Sequence, residues 1–301
     1  MLKDTLLTQL QTVSEINSLS KVGRLLNNPL KYAYAMYCRI FYYALRKEGI
    51  QTKATTFFGD TMNVLLPAGT DIYLTSGKAH DSEIRLSSYI INILKENDTF
   101  VDVGAHFGFF SLLAGMIVGS QGKVIAFEGG IDTYQVLQKN INIKANIQAN
   151  NKVVSNIQGE VRFYQFPTAY SEYSSLDIEQ YKDTDWIKNN PPKATIMDSI
   201  RLSQELKGQD VDMIKVDVEG GELEVLSGLS EYLINYNPII IIEYLSADRN
   251  NQSHVLAAQY LVDRGYKSHI IDIKGEVKRC DNLMEYMKRE EMESDNIVFL
   301  R

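Results

Sequence analysis

The chain has 301 residues, a length that suits one large domain with an appendage or two domains. Hydrophobic residues make up 45% of it and charged residues 23%, so neither a disordered nor a fibrous protein is expected. The net charge of −7 argues against a nucleic-acid backbone as partner, because such binding requires clustered Lys and Arg. Cys38 and Cys280 are far apart and match no C-x-x-C pattern, which favours a reducing, cytoplasmic setting.

The first 50 residues or so are predicted to form two helices, separated by the breaker Asn27-Asn28-Pro29. The second helix, from Tyr32 to Leu45, is aromatic, but it is shorter than the roughly 20 residues that cross a bilayer. We expect neither a membrane span nor a secretory signal here. The aromatic helix either packs on the main domain, closes over a site as a lid, or lies peripherally on lipid. In the last arrangement, the residues directed to the head groups are Lys31, Arg39, Arg46 and Lys47.

Short β-like runs from Thr55 to Thr75, the last of them Asp71–Thr75, predict a small antiparallel hairpin element. A helix over 81–96 follows, and strands then alternate with helices almost to the C-terminus. The strands are predicted over 99–103, 123–127, 151–155, 161–166, 213–217, 239–242, 269–273 and 297–300. This alternation predicts an α/β fold with a doubly wound, mostly parallel, seven-stranded sheet. We expect a helical appendage over 1–54 and the main domain over 55–301.

The segment Asp102-Val-Gly104-Ala-His106-Phe-Gly108 places two glycines where a strand turns into a helix, so that backbone can approach a ligand closely. The spacing differs from the G-x-G-x-x-G of dinucleotide sites, and Asp102 would repel a diphosphate but could hold a cationic amino group. Glu128 ends the next strand, where a carboxylate can accept both hydroxyls of a ribose. A ligand with a ribose, a cationic amino-acid end and no phosphate is S-adenosylmethionine.

At these residues the sequence resembles the FkbM-type S-adenosylmethionine-dependent methyltransferases. The segments that carry the resemblance are 102–111, Ala126-Phe-Glu128, Asn140-Ile141, Val154-Ser155, Ser174-Ser-Leu176, Thr195-Ile-Met-Asp198 and 214–222. It covers roughly residues 55–300 and implies a class I, Rossmann-like methyltransferase fold. Two positions depart from the usual pattern, since His106 stands where Asn is usual and Gly129-Gly130 replaces a Pro after the ribose-binding Glu.

The resemblance also implies roles for residues outside the glycine loop. It suggests that Glu83 reaches the cofactor or the acceptor, and that Ser155 contacts the cofactor. His106 is expected at the methionine end of the cofactor, with packing at the helix start as the alternative. The implied reaction is methylation, above all O-methylation of a hydroxyl on a glycan, a glycolipid or another secondary metabolite.

Carboxylates at two strand ends are the candidates for catalysis. Asp217 ends the strand over 213–217 and Glu219 lies two residues beyond it, whereas Glu243 follows the strand over 239–242. Methyl transfer is an in-line displacement that depends mainly on positioning, and a hydroxyl acceptor also needs a base for its proton. All three are predicted to be catalytic, and Asp217 also to contact the cofactor, whereas helix capping or pairing with the helix dipole is the structural alternative. No local ligand spacing predicts a metal.

The long segment over 166–192 is the candidate for acceptor choice. Its residues Tyr170 and Tyr173 lie among polar residues and could stack on a sugar ring, although an aromatic-anchored surface insertion is the alternative. His80 and Glu222 are further predicted acceptor contacts, and Glu222 could instead pair with a helix dipole.

The sequence therefore predicts a cytoplasmic S-adenosylmethionine-dependent O-methyltransferase that binds a small-molecule or glycan acceptor and no nucleic acid. An oxidoreductase that binds NAD or a nucleotide sugar is the alternative, disfavoured by the missing third glycine and by Asp102. A non-catalytic, membrane-associated scaffold of the same fold is a second alternative, against which the intact carboxylates argue. Neither the acceptor's identity nor the oligomeric state follows from the sequence.

Overall fold

The computed structural model describes residues 2–181 and 184–301. Helices α1 to α13 span, in chain order, Leu2–Ser18, Lys21–Asn27, Pro29–Tyr37, Tyr43–Arg46, Thr70–Thr75, Asp81–Ile93, Phe109–Val118, Ile131–Ile141, Asp185–Asn189, Leu202–Glu205, Glu222–Gly228, Gln252–Val262 and Leu283–Arg289. A π-helical turn, Cys38–Tyr42, joins α3 to α4. Strands β1 to β13 span Ile50–Thr55, Thr61–Leu66, Thr99–Val103, Lys123–Phe127, Ile147–Asn150, Val153–Val154, Gly159–Gln165, Lys193–Ile200, Met213–Val216, Ile239–Leu245, Lys267–Ile271, Val277–Arg279 and Ser294–Leu300.

An eight-stranded sheet forms the centre of the structure, in the order β12-β11-β13-β10-β9-β3-β4-β5. The five strands from β10 to β5 are parallel, whereas the pairs on the other side of β10 are antiparallel. The parallel strands are strongly apolar because helices cover both faces of the sheet; β9, for example, is buried at every position. The predicted doubly wound α/β class is confirmed.

Three local predictions need correction. The sheet has eight strands rather than seven, and its two edge strands, β5 and β12, were not predicted. Asp71–Thr75 is not a strand but lies in α5, where the three-residue spacing of Ile72 and Thr75 turns both inward. The predicted strands over 151–155 and 161–166 correspond to β6 and β7, which form a separate three-stranded sheet with β8, a strand that was not predicted. Only three of its eight positions are buried, so the sequence carries little hydrophobic signal there.

The N-terminal helices pack directly on the main core. The first predicted helix is two, α1 and α2, and α1 buries Leu6, Leu10 and Val13 in the same core as α6. From α3 to α4 the chain is one continuous helix that ends at Lys47, whose φ is +57°. The predicted boundary at 54/55 falls inside β1, so we propose a boundary before Ile50. Among the described residues, no helix is long and apolar enough to cross a membrane.

Candidate functional site

A cavity of about 1010 Å³ opens at the carboxyl ends of β3, β4, β9 and β10, where ligands of parallel α/β folds bind. Its size is at the upper end of the roughly 300–1,000 Å³ of small-molecule sites. The predicted site residues that line it are His80, Glu83, Gly104, His106, Glu128, Tyr170, Tyr173, Asp217, Glu219 and Glu243. The predicted site residues outside the lining are Asp102, Gly108, Ser155 and Glu222.

Gly104 and Gly108 shape the loop between β3 and α7. Gly104 has a φ of +81°, and a Cβ there would overlap the carbonyl oxygen of Asp217. The loop after β3 can therefore lie directly against the loop after β9 only because this residue is glycine. Gly108, with a φ of +87°, precedes α7, and a Cβ there would press on the side chain of Leu137. Gly104 thus belongs to the wall of the cavity, whereas Gly108 supports the loop from behind.

The carboxylate of Glu128 is held in place by three hydrogen bonds. Its Oε2 accepts the backbone N–H of His106 at 2.8 Å. Its Oε1 accepts the N–H of Gly130 at 2.7 Å and the hydroxyl of Thr133 at 2.8 Å. Burial raises the pKa of Glu128, and these three bonds oppose that rise. These bonds fill Oε1 and leave an acceptor site on Oε2, which can take a hydroxyl of a ribose.

His106 lines the cavity as an uncharged ring. Its φ is +50°, its Nε2 shares a hydrogen bond with Ser171 Oγ at 2.9 Å, and its ring lies against Phe107. Burial lowers the pKa of His106 to about 3, with the positive charges of Lys78 and Lys215 adding to the effect. The imidazole is therefore neutral at physiological pH and does not repel a cationic ligand.

Asp102 and Lys215 form a buried ionic layer behind this wall. Asp102 Oδ2 accepts the Ser111 hydroxyl at 2.6 Å, and its Oδ1, 3.9 Å from Lys215 Nζ, has no hydrogen-bond partner among the described residues. Burial raises the pKa of Asp102. Lys215 Nζ in turn pairs with Asp217 Oδ2 at 2.9 Å. The carboxylate that reaches the cavity here is that of Asp217, and Asp102, predicted to hold the cofactor's amino group, lies behind the wall.

The structure does not bring Ser155 and Glu222, two further predicted site residues, to the lining of the cavity. Ser155 Oγ is buried and bonds to Ser199 Oγ at 2.7 Å, because β6 and β8 bring the two residues together in the small sheet. Glu222 is fully buried at the start of α11. Its carboxylate accepts the N–H of Val218 at 3.1 Å and that of Gly220 at 3.0 Å, which satisfies the backbone of the loop before the helix. Neither side chain lines the cavity.

Asp217, Glu219 and Glu243 do meet at the cavity, with carboxylate oxygens within 4.8 Å of one another. Burial disfavours the charge on Asp217, but the ammonium of Lys215 outweighs this and lowers the pKa of Asp217. The pKa of Glu219 is raised well above its usual range by burial and by the charges of Glu243 and Asp217. The spacing suits a shared proton or a bound cation, and Lys215 already places a positive charge at Asp217. The expected absence of a metal stays a prediction.

Glu243 has the carboxyl group best suited to proton transfer. Burial, with the charges of Asp217 and Glu222 adding to it, raises the pKa of Glu243 to about 8. Its Oε2 has no hydrogen-bond partner in the part of the chain that the structure describes. Glu219 differs, because the hydroxyl of Tyr181 donates to its Oε2. A free acceptor atom and a pKa near neutrality are what a general base requires.

A second cluster of charged side chains lies near the start of α6, and of its members only Glu83 was predicted from the sequence. Lys78 Nζ is 3.0 Å from Glu83 Oε1 and 4.0 Å from Asp71 Oδ2. Burial disfavours the ammonium, but Glu83, Asp71 and Glu172 together raise the pKa of Lys78 well above its usual range. Burial also raises the pKa of Glu172 to about 7. Glu172 could have been found from its place between two predicted acceptor tyrosines, whereas Lys78 and Asp71 meet only through tertiary folding.

Tyr170 and Tyr173 line the cavity with Trp186 against both of them. The ring of Trp186 stacks on Tyr170 at 4.8 Å between centroids and contacts Tyr173 at 5.2 Å. The two tyrosines are placed by a 3₁₀-helical turn, Thr168–Tyr173, whose residues 169–173 line the cavity. Aromatic faces held in this way can pack against the apolar face of a sugar.

The sheet order, the glycine loop against β9 and the anchored carboxylate at the end of β4 define a Rossmann-like fold with a ligand cavity at the carboxyl edge of its sheet. The chain matches the family model described as "Methyltransferase FkbM domain" over residues 102–268, or 167 of its 301 residues. It therefore belongs to the FkbM methyltransferase family, and its cofactor is S-adenosylmethionine. The resemblance and the cofactor predicted from the sequence are confirmed.

Two curated relatives are methyltransferases. "Methyltransferase sdnD" of Sordaria araneosa is 28% identical over 168 residues, which cover 48% of this chain and 64% of that protein. "Hexuronic acid methyltransferase AglP" of Haloferax volcanii is 26% identical over 164 residues, covering 54% and 63%. The chain thus spans a little under two thirds of each relative. The crystal structure of methyltransferase FkbM from Methylobacillus flagellatus KT aligns with a TM-score of 0.42 and 14% identity, over 92% of this chain and 60% of that one.

Proposed function

We propose that this chain transfers a methyl group from S-adenosylmethionine to a hydroxyl of a glycan, a glycolipid or another secondary metabolite. The observation that carries the proposal is the placement of Glu128 and Glu243 in one cavity. One is an anchored carboxylate with an acceptor site left on Oε2, and the other has an unpartnered oxygen and a pKa of about 8. Glu128 follows β4 and Glu243 lies near the end of β10, with β3 and β9 between them, which leaves room for two ligands side by side.

The residues at the cavity fit a cationic cofactor. The carboxylates of Glu128 and Asp217 line the cavity, and the nearby ammonium of Lys215 is already paired with Asp217. The charge of the cavity therefore suits a sulfonium and opposes a diphosphate. Glu128 Oε2 would accept a ribose hydroxyl, and Gly104 with His106 would lie along the amino-acid end. When bound, S-adenosylmethionine supplies an electrophilic methyl group. The oxidoreductase alternative loses its support with the family assignment.

The acceptor would lie on the other side of the cavity, near Glu243. Its unpartnered Oε2 would accept the proton of the acceptor hydroxyl. The carboxyl groups of Asp217 and Glu219 lie beside it and would set the local charge. Tyr170 and Tyr173 would position a sugar ring, with His80 and Glu83 as further polar contacts. The name of the Haloferax volcanii relative, a hexuronic acid methyltransferase, supports a sugar as acceptor.

Calorimetry with S-adenosylhomocysteine and, separately, with NAD tests the cofactor assignment. We expect binding of the first and none of the second; the opposite result would overturn the proposal. Transfer of a labelled methyl group to a panel of glycans, glycolipids and small hydroxylated metabolites then tests the acceptor class. Labelling of an amine or a carboxylate instead of a hydroxyl would refute the O-methyltransferase assignment while leaving the cofactor assignment intact.

A further inference from the structure

The helical segment over 19–47, here called the amphipathic segment, exposes much of the apolar surface of the molecule. Ten of the twenty exposed large apolar side chains of the described residues lie within it. They are Leu19, Val22, Leu25, Leu26, Leu30, Tyr34, Tyr37, Ile40, Phe41 and Leu45. Leu30 and Leu45, near the two ends of the continuous helix, are each 83% exposed. Scattered single apolar residues are normal on a protein surface, but such a concentration marks an interaction surface.

These side chains form a stripe along the helix from α3 to α4. Residues 30, 34, 37, 41 and 45 recur at steps of three and four, which places them on one side of the helix. The opposite side of the helix packs against the rest of the protein. Ala35, Cys38 and Tyr43 are buried there, and Arg39 and Tyr43 line the cavity. The helix therefore has one face toward the site and an apolar face toward solvent.

The charge of the amphipathic segment is opposite to that of the rest of the protein. Residues 16–47 contain six Lys and Arg and no Asp or Glu, whereas the remaining residues carry 25 Lys and Arg against 38 Asp and Glu. The six cations are Lys21, Arg24, Lys31, Arg39, Arg46 and Lys47. An exposed apolar face flanked by charges of one sign, on a protein of the other sign, calls for a partner that is both apolar and anionic.

We propose that the amphipathic segment binds the surface of a bilayer containing anionic lipid. Its apolar stripe would enter the head-group region, and the cations other than Arg39, which lines the cavity, would lie near the lipid phosphates. A second copy of the chain is a poorer partner, because a symmetric dimer would bring the six cations of one segment against the six of the other. Because Arg39 and Tyr43 on the other side of this helix line the cavity, the bound helix would hold the cavity close behind the lipid surface. Lipid binding itself does not rest on the proposed function.

Sedimentation of the full chain with vesicles tests the proposal without any turnover. One set of vesicles is pure phosphatidylcholine, and the other has one third of it replaced by phosphatidylglycerol. The stripe variant carries Leu30→Gln, Phe41→Gln and Leu45→Gln. The matched control carries Ile143→Gln, Ile234→Gln and Ile273→Gln, at side chains 83%, 78% and 64% exposed elsewhere on the surface. A charge variant carries Lys21→Gln and Arg46→Gln.

We expect the wild type and the control to sediment with the anionic vesicles, and the stripe variant to bind them at least about tenfold more weakly. The charge variant should lose affinity for anionic vesicles and show a weaker dependence on salt. All substituted side chains are exposed, so thermal unfolding should be unchanged. The proposal is overturned if the wild type binds neither kind of vesicle, or if the stripe variant binds as the wild type does. A dimer that the stripe variant dissociates would assign the face to a second copy instead.

Discussion

Replacing Glu243 by Gln removes the proposed proton acceptor and nearly preserves its shape. With a pKa of about 8, Glu243 is about one-tenth ionised at pH 7 and about nine-tenths ionised at pH 9. Because only the ionised form accepts a proton, kcat/KM of the wild type should rise about tenfold over this range. The pH dependence of kcat/KM reports the free enzyme, to which this pKa belongs.

The Gln variant should lose the rise with pH and about 10²–10⁴-fold in kcat/KM, the usual contribution of a general base. The assay is transfer of labelled methyl at each pH, with calorimetry of S-adenosylhomocysteine to show that the cofactor site is intact. Glu293→Gln is the matched control, since Glu293 also lines the cavity but its side chain is 81% exposed. If Glu243→Gln keeps its activity within tenfold of the wild type, or keeps the same rise with pH, Glu243 is not the base.

Thermal unfolding gives a second measurement that needs no acceptor. The pKa of Glu243 in the folded protein, about 8, exceeds the value near 4.3 of an unfolded Glu. The folded state therefore holds a proton that the unfolded state has released, and this stabilisation is lost as pH rises through 8. We expect the Tm of the wild type to fall more between pH 6 and pH 9 than the Tm of Glu243→Gln. Equal falls would show that the carboxyl is ionised throughout.

Three further predictions concern the cofactor side. Glu128→Ala should weaken S-adenosylhomocysteine binding by about 100-fold in calorimetry, because it leaves the loop amides unpaired. Asp217→Asn should mainly lower turnover. The reverse result would mean that the cofactor and the acceptor occupy the opposite ends of the cavity. Gly104→Ala should lower the Tm well beyond the effect of Gly59→Ala, since both have positive φ but only Gly104 would overlap other backbone. A chelator should leave turnover unchanged, because Lys215 already neutralises Asp217; loss of activity restored by a divalent cation would contradict this.

The positions of the core strands could be predicted from the sequence because burial on both faces leaves a direct signal. Thr99–Val103 and Lys123–Phe127 were predicted with the bounds that the structure has. Glu128 and Glu243 could be assigned to the cavity for the same reason, since the ends of parallel strands meet at one edge of a sheet. Chain order and strand register thus fix where the backbone of such residues lies.

The tertiary structure alone decided where side chains point and which distant groups meet. Glu222 follows the right strand, yet its carboxylate turns back to the amides of its own loop, and Ser155 turns to Ser199. Glu172 is close enough to affect the charge of Lys78 only because a 3₁₀ turn from another part of the chain lines the same cavity. Sequence alone determined the fold class and the edge where the chemistry lies. The protonation states of Glu243 and Asp217 needed the structure, because burial and neighbouring charge set a pKa, and neither is local in sequence.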